Sequence, residues 1–98
     1  MGMCKPSGEI KPQLGKIGSL KAYGDPNSRI DLYNIENPNE LLQQRWYDSN
    51  GRAEMNRDWK HSNKGEEHKF PHDHPWDWTK KNPRLKYDPN RGINNHYC

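Results

Sequence analysis

Hydrophobic and polar residues alternate in the middle of the chain, and this pattern predicts β-strands. Within residues 29–32, isoleucine and leucine alternate with arginine and aspartate, which is the period-two pattern of a half-buried strand. Residues 41–47 are apolar and aromatic at both ends and predict a second strand. A short helix is the rival interpretation there, because residues 40–45 all tolerate helical conformation.

A strong turn signal follows these two segments. Residues 48–51 end in Asn50-Gly51, the dipeptide that supplies the positive φ angles of a hairpin turn. Beyond the turn, apolar and polar residues alternate again up to Trp59, and Arg57 interrupts the apolar face. The pattern predicts an antiparallel β-meander over residues 28–59.

The remaining segments carry weaker patterns. Residues 1–27 are rich in Gly, Pro, Lys and Ser and predict a loop-rich arm with one weak strand around Lys16–Ala22. Residues 60–78 contain two prolines, and their composition predicts a long ordered loop rich in His and Trp. Residues 79–98 form a basic segment. We therefore expect an α+β or mainly β protein with one small domain over residues 28–98.

Composition supports a small domain with a thin core. The chain has 98 residues, of which 29% are hydrophobic and 30% are charged. No apolar run of about 18 residues occurs, so a membrane span is excluded. Eight Gly and eight Pro argue against long helices, whereas four Trp and five Tyr argue against plain disorder.

The net charge of +3 is unevenly distributed. Residues 79–98 carry five basic residues against one acidic residue, a net charge of +4. This segment is compatible with a polyanionic partner such as RNA or a nucleotide, and equally with a solvated surface.

The two cysteines, Cys4 and Cys98, lie near the two ends of the chain. Chain ends are often close in a domain, so a disulfide and two unpaired thiols both remain open. No apolar h-region follows Met1, so we expect no secretory signal. The expected location is cytoplasmic, for a free protein or for a module cut from a larger one.

Four of the five histidines fall between positions 61 and 74, namely His61, His68, His72 and His74. Imidazole gains and loses its proton near neutral pH, so such a cluster serves acid–base chemistry. In RNA cleavage, one histidine would take the 2′-hydroxyl proton and another would protonate the leaving oxygen. Nearby cations and aromatic rings would bind phosphate and bases. The candidate substrate-binding residues are Arg52, Arg57, Lys60, Lys69, Trp76 and Trp78.

Metal binding is the second interpretation of the histidines. His72 and His74 are two residues apart and would point the same way on a strand. His68, His61 or Asp77 could supply a third ligand, and the set His68, His72 and His74 would suit zinc or another transition metal. The H-x-H pattern alone is weak, and these imidazoles could instead bond backbone carbonyls in a Pro-rich loop.

The tryptophans divide into two pairs. Trp46 and Trp59 flank the predicted hairpin, and we expect both to lie in the core because a small sheet needs large side chains. Trp76 and Trp78 either fasten the loop onto the sheet or stack on bases.

Several short runs occur in a characteristic order. They are Pro26-Asn27-Ser28, Asp31-Leu32-Tyr33, Arg45-Trp46-Tyr47-Asp48 with Gly51-Arg52-Ala53, Arg57-Asp58-Trp59-Lys60-His61, and His68-Lys69-Phe70-Pro71-His72-Asp73-His74-Pro75-Trp76. In this order they resemble C-terminal toxin modules of bacterial polymorphic toxin systems. Such modules are carried on large secreted proteins and are neutralised by an immunity protein. The resemblance covers residues 26–78, and a free-standing phage or prophage relative of these modules is the alternative that it leaves open.

The resemblance implies a nuclease-type toxin that is delivered into a target cell as part of a larger protein. The positions that it carries over are Arg52, Asp58, His61, His68, His72 and His74. One departure is that Arg57-Asp58-Trp59 stands where the family pattern has an apolar residue in D-I-D-Y.

Taken together, these features predict metal-independent cleavage of RNA by histidines, which should survive EDTA. The alternatives are a metal-dependent nuclease that uses the H-x-H segment, and a non-catalytic protein that captures a nucleotide or a host protein. All of the catalytic interpretations require the histidines to gather in one accessible cleft on a hairpin platform.

Overall fold

A computed structural model describes residues 4–60 and 70–98, and within them five strands pair side by side in one mixed sheet. The strands are β1 (Ile10–Gly15), β2 (Arg29–Asn34), β3 (Asn37–Tyr47), β4 (Ala53–Asp58) and β5 (His72–Pro75). Their order in the sheet is their order in the chain. Strand β1 is parallel to β2, and every later pair is antiparallel.

The protein is mainly β rather than α+β over the described ranges, where no helix occurs. The helix considered for residues 40–45 is wrong, because these residues lie inside β3. Hydrogen bonding to neighbours on both sides overrides their tolerance of helix. No helix able to span a bilayer is found in residues 4–60 and 70–98.

The first strand lies outside the segment where we predicted it. Strand β1 covers Ile10–Gly15, whereas Lys16–Ala22 leaves the sheet. Gly18 has a φ of 96° and Ser19 N donates to the carbonyl of Lys16 at 3.0 Å, so a turn interrupts this segment. The chain beyond the turn places Leu20 in the apolar core, with Leu32 and Leu42.

The hairpin between β3 and β4 uses a turn other than the one that Asn50-Gly51 predicts. Only Gly51 has a positive φ, 78°, and Asn50 does not. Gly51 N donates to the carbonyl of Asp48 at 3.0 Å, and Asp48 N donates to the carbonyl of Arg52 at 2.8 Å. This bonding is typical of a turn followed by one left-handed glycine. A Cβ at Gly51 would lie 2.5 Å from the carbonyl oxygen of Gly24, so the position requires glycine.

Both faces of the sheet are covered. The segments at residues 4–5 and 94–98 cover one side, which we call the terminal face. Its buried polar side chains are Arg29, Asp31, Gln44, Arg57 and Asp73. Residues 20–22 and 76–87 cover the other side, which we call the loop face. Its buried polar side chains are Gln43, Arg45, Asn56, Asp58, His72 and His74.

The two faces follow from strand alternation and register. Gln44, Arg57 and Asp73 are paired across β3, β4 and β5, and Gln43, Asp58 and His72 form the neighbouring row. Because successive residues of a strand point to opposite faces, the first row lies on the terminal face and the second on the loop face. The sheet therefore buries polar networks on both sides around a small apolar cluster.

The tryptophans of the hairpin have different environments. Trp46 is 1% exposed, and its Nε1 donates to the carbonyl of Lys5 at 3.1 Å, so its predicted place in the core is confirmed. The prediction for Trp59 is wrong, because it is 40% exposed. It follows the last residue of β4, at the end of the sheet, and its indole N–H donates to Gln44 Oε1 at 2.9 Å.

Cys4 and Cys98 form a disulfide, which settles the alternatives that the sequence left open. Their Cα atoms are 5.6 Å apart and the residues are 94 positions apart in sequence. Backbone bonds between Lys5 and His96 (2.8 Å) and between Cys98 and Lys5 (3.1 Å) align the two segments beside the bond. The disulfide thus holds together the two segments that cover the terminal face.

We expect replacement of both cysteines, Cys4→Ser with Cys98→Ser, to lower the free energy of unfolding by about 2–5 kcal/mol, because a bond that closes a long loop restricts the unfolded chain. Urea unfolding followed by tryptophan fluorescence measures the change. The matched control is the wild-type protein in dithiothreitol, which should show the same loss. Unchanged stability in both samples would contradict a closed disulfide.

Candidate functional site

Three metal-ligating side chains meet on the loop face where β4 and β5 pair. Asp58 is the last residue of β4 and is paired with His72, while Asn56 is paired with His74. His72 and His74 share a face because they lie two residues apart on β5. The Oδ2 atom of Asp58 is 3.4 Å from Nε2 of His72 and 3.4 Å from Nε2 of His74. We call these residues the Asp–His cluster.

The orientation of His74 is set by a second hydrogen bond. Its Nδ1 lies 2.8 Å from the carbonyl oxygen of Leu85. A carbonyl oxygen only accepts, so Nδ1 carries the proton and donates. Its Nε2 atom faces Oδ2 of Asp58 at 3.4 Å. This Nε2 atom is buried.

Asp58 is ionised in this environment. Burial raises the pKa of its carboxyl group, but His74, the amide of Gln43 and the guanidinium of Arg84 outweigh burial and hold the pKa well below its usual value. The Gln43 Nε2 atom donates to Oδ1 at 2.9 Å. Thus one carboxylate oxygen is held by an amide, and the other faces the two imidazoles.

Two separations within the Asp–His cluster are compatible with shared coordination of a cation, and its three ligand atoms all lie within 4.8 Å of one another. Zinc bonds of about 2.0–2.1 Å at tetrahedral angles place two ligand atoms about 3.3–3.4 Å apart. A charge-assisted N–H···O bond would instead bring the same atoms to about 2.7–2.9 Å. The observed 3.4 Å from Oδ2 to each imidazole nitrogen matches the first geometry. Two imidazoles and one carboxylate suit zinc or another transition metal.

Aromatic rings surround the outer part of the cluster. The rings of Phe70 and Tyr87 each lie with their centroids 4.7 Å from that of His72. Phe70 is 42% exposed, and the side chain of Arg84 is 39% exposed. The NH2 nitrogen of Arg84 approaches Asp58 Oδ2 at 3.4 Å. The cluster itself is buried, but groups able to bind a ligand adjoin it and reach solvent.

The structure brings together two of the four predicted catalytic histidines. His72 and His74 are adjacent, but they are 4% and 3% exposed, so they do not line the open cleft that we expected. The segment packed over β5 contacts the cluster through Arg84, Leu85 and Tyr87. His61, His68 and Lys69 lie outside the described residues.

Asp77, which we considered as a third ligand, does not join the Asp–His cluster. Its Oδ1 accepts hydrogen bonds from the backbone N–H (3.0 Å) and the hydroxyl (2.5 Å) of Thr79. The third group is Asp58. The toxin resemblance carried over Asp58, but the predicted ligand sets omitted it, because no sequence spacing shows which β4 residue pairs with β5.

Arg57, predicted to bind phosphate, lies on the opposite side of the sheet from the histidines. Its Nε donates to Asp73 Oδ1 at 2.8 Å, and its NH1 donates to the carbonyl of Tyr97 at 2.8 Å. The side chains of Arg57 and Asp73 are 8% and 0% exposed. Arg57 therefore holds the C-terminal segment against the terminal face of the sheet and pairs with Asp73 on β5. The sequence missed this because Arg57 and Asp58 are adjacent residues whose side chains point to opposite faces.

The other predicted substrate-binding residues are engaged at separate places. Arg52 pairs with Asp48 at 3.2 Å on the hairpin turn, and Lys60 pairs with Glu40 at 2.9 Å. Neither contact brings the cation to the Asp–His cluster.

Trp76 and Trp78 pack against each other with ring centroids 5.6 Å apart. Their indole N–H groups donate to Asn56 Oδ1 (3.0 Å) and to the carbonyl of Ala53 (2.7 Å). These bonds hold the loop on the sheet, which agrees with the structural role that we weighed for this pair.

Comparison with known proteins adds no assignment. No protein-family model, curated protein or solved structure matches this chain. The toxin resemblance is therefore a hypothesis, and the Asp–His cluster is the structural feature that points to a function.

We expect Arg57→Ala to lower the free energy of unfolding by about 3–5 kcal/mol, because it leaves the buried Asp73 carboxylate without its partner. Urea unfolding measures the change, and Arg52→Ala on the partly exposed turn is the control, with a loss below about 1 kcal/mol. If Arg57→Ala were as stable as the wild type and lost only nucleic-acid binding, the phosphate role would be restored.

Proposed function

We propose that this protein is a metal-dependent nuclease-type hydrolase whose metal ion is held by Asp58, His72 and His74. The observation that carries the proposal is the position of Asp58 Oδ2, 3.4 Å from each imidazole Nε2. The proposal keeps the nuclease class expected from the sequence and replaces the metal-independent mechanism with the metal-dependent alternative.

The geometry favours a ligand set over a pair of acid and base histidines. Cleavage by two imidazoles requires one ring beside the attacking hydroxyl and the other beside the leaving oxygen, with a phosphate between them. Here both Nε2 atoms approach the same carboxylate oxygen. His74 also donates its other ring nitrogen to the carbonyl of Leu85, and a bond of this kind commonly orients metal-bound histidine.

A metal ion held by the Asp–His cluster would supply the chemistry that phosphodiester hydrolysis needs. A transition-metal ion bound there would activate water and polarise a phosphoryl oxygen. Three protein ligands leave a coordination position for water or substrate. Gln43 holds the carboxylate through Oδ1, which leaves Oδ2 directed at the imidazoles. The basic segment at residues 79–98 adds positive charge for a polyanionic substrate.

The biological setting that we propose is that of a toxin module with an immunity partner, cytoplasmic as expressed and delivered into a target cell within a larger protein. The support is the order of motifs in residues 26–78. The disulfide between Cys4 and Cys98 supports passage through oxidising surroundings, where such bonds persist.

A second candidate function is a non-catalytic binding protein with a structural metal ion. The observation that favours it is burial, because the side chains of Asp58, His72 and His74 are 1–4% exposed. Structural zinc sites are closed by protein ligands, whereas catalytic sites keep an open position. In this case metal would raise the melting temperature without conferring cleavage.

Metal binding is tested by titrating the chelator-treated protein with Zn²⁺ in a calorimeter, and with Co²⁺ followed by visible absorption. We expect one ion per chain, and loss of binding in Asp58→Asn and His74→Ala because each removes a ligand. His96→Ala is the matched control, since His96 is exposed and outside the cluster. Equal binding by the wild type and His74→Ala would contradict the proposed centre.

Cleavage is tested with labelled RNA and single-stranded DNA, using protein loaded with Zn²⁺, Mn²⁺ or Ni²⁺. We expect cleavage that EDTA abolishes and that Asp58→Asn lacks, because the bound metal would activate the attacking water. Cleavage that survives EDTA would favour the acid–base mechanism. Metal binding without cleavage of either substrate would favour the structural-metal alternative.

A further inference from the structure

One oxygen atom of the cluster faces three nitrogen-bearing side chains. The Nε2 atoms of His72 and His74 and the Nη2 atom of Arg84 each lie 3.4 Å from Asp58 Oδ2. A metal ion bound to Oδ2 would therefore share this oxygen with a guanidinium that carries a permanent charge. Two cations on one carboxylate oxygen repel each other, so metal binding and the Arg84 contact compete.

We propose that Arg84 is the phosphate ligand of the active site, released from Asp58 when metal binds, and that the substrate is a single-stranded nucleic acid whose base packs on Phe70. This inference rests on the proposed metal centre.

Arg84 is placed so that only its side chain needs to move. The backbone of residues 84–85 is held against β5, because Arg84 forms a bridge with Trp76 and Leu85 N donates to the carbonyl of Pro75 at 2.9 Å. The side chain itself is 39% exposed. A guanidinium freed from Asp58 would remain beside the metal and could donate two parallel hydrogen bonds to a phosphate.

The rings beside the cluster favour a base that is not paired in a duplex. Phe70 is 42% exposed and lies against His72, with Tyr87 also against this imidazole. Bases of a single strand can turn their faces toward aromatic side chains, whereas those of a duplex are stacked on one another. A base on Phe70 would bring its phosphate toward Arg84 and the metal.

The charge of the surrounding segment supports the same substrate. The lysines near Arg84 are exposed, namely Lys80, Lys81 and Lys86. They add sequence-independent attraction for a phosphate backbone, and Arg84 differs from them by its contact with the cluster. Lys81 therefore offers a matched control for the loss of one positive charge.

The test compares wild-type protein with Arg84→Gln and Lys81→Gln, after the fold of each has been checked by circular dichroism. Zn²⁺ binding is measured by calorimetry. Binding of a short labelled oligouridylate is measured by fluorescence anisotropy with and without saturating Zn²⁺, and the integrity of the probe is checked on a gel.

We expect Arg84→Gln to bind Zn²⁺ several-fold more tightly, because the competing cation is gone. In the wild type, we expect saturating Zn²⁺ to strengthen oligouridylate binding about tenfold, a typical coupling between two sites. Arg84→Gln should lose most of this strengthening. Lys81→Gln should bind Zn²⁺ as the wild type does and keep the strengthening. These opposite effects on metal and oligonucleotide separate a released phosphate ligand from a residue that merely supports the fold.

Two results would overturn the role of Arg84 while leaving the metal centre intact. One is weaker Zn²⁺ binding by Arg84→Gln, and the other is Zn²⁺-dependent oligouridylate binding that this substitution leaves unchanged. Failure of the wild type to bind any tested metal would instead overturn the proposed centre and the inference together.

The base-binding part is tested with Phe70→Ala, and Ile35→Ala serves as a control that removes another exposed apolar side chain, on the turn between β2 and β3. We expect Phe70→Ala to weaken oligouridylate binding by about tenfold, since stacking contributes roughly 1–3 kcal/mol per base. Binding of a duplex RNA should change little. Tighter wild-type binding to the duplex than to the single strand would overturn the assignment of substrate class.

Discussion

The pairing of β4 with β5 is the constraint on which the rest of this structure depends. It aligns Asp58 with His72 and Arg57 with Asp73. The first pair forms the Asp–His cluster on the loop face, and the second forms a buried ion pair on the terminal face. A slip of one residue would exchange the faces, leaving Asp73 near the cluster and both histidines against the segments that cover the terminal face.

The ion pair on the terminal face explains how a four-residue edge strand keeps its register. Asp73 accepts two hydrogen bonds from Arg57 and one from the backbone of Asn94. Arg57 in turn donates to the carbonyls of Asn94 and Tyr97, next to the disulfide. The covalent bond, the covering segment and the ion pair therefore act on the same strand. The small apolar core of Leu20, Leu32 and Leu42 leaves much of the specificity to such polar contacts.

The loop face places functional groups around a single carboxylate. Gln43 binds one oxygen of Asp58, and the other oxygen faces two imidazoles and a guanidinium. A cation that joined the imidazoles on Oδ2 would alter the contact with Arg84. The chemistry of the site would therefore couple metal binding to the position of a phosphate-binding group.

The sequence by itself determined the local features. Alternation in residues 29–32 and 53–58 predicted strands, and the Asp48–Gly51 turn marked the hairpin. The H-x-H spacing puts two imidazoles on one face of a strand, although we predicted a loop for residues 60–78, where the structure forms β5. Each of these depends on neighbours within a few residues, which the order of side chains specifies directly.

Only the tertiary structure decided which distant residues meet. It paired β4 with β5, bringing Asp58 to His72 and His74, and it turned Arg57 away to the other face. It also put β1 at Ile10–Gly15, brought Arg84 to the cluster and joined Cys4 to Cys98. The physical reason is that strand register and loop docking depend on the summed packing and hydrogen bonding of segments far apart in the chain, which no local pattern encodes.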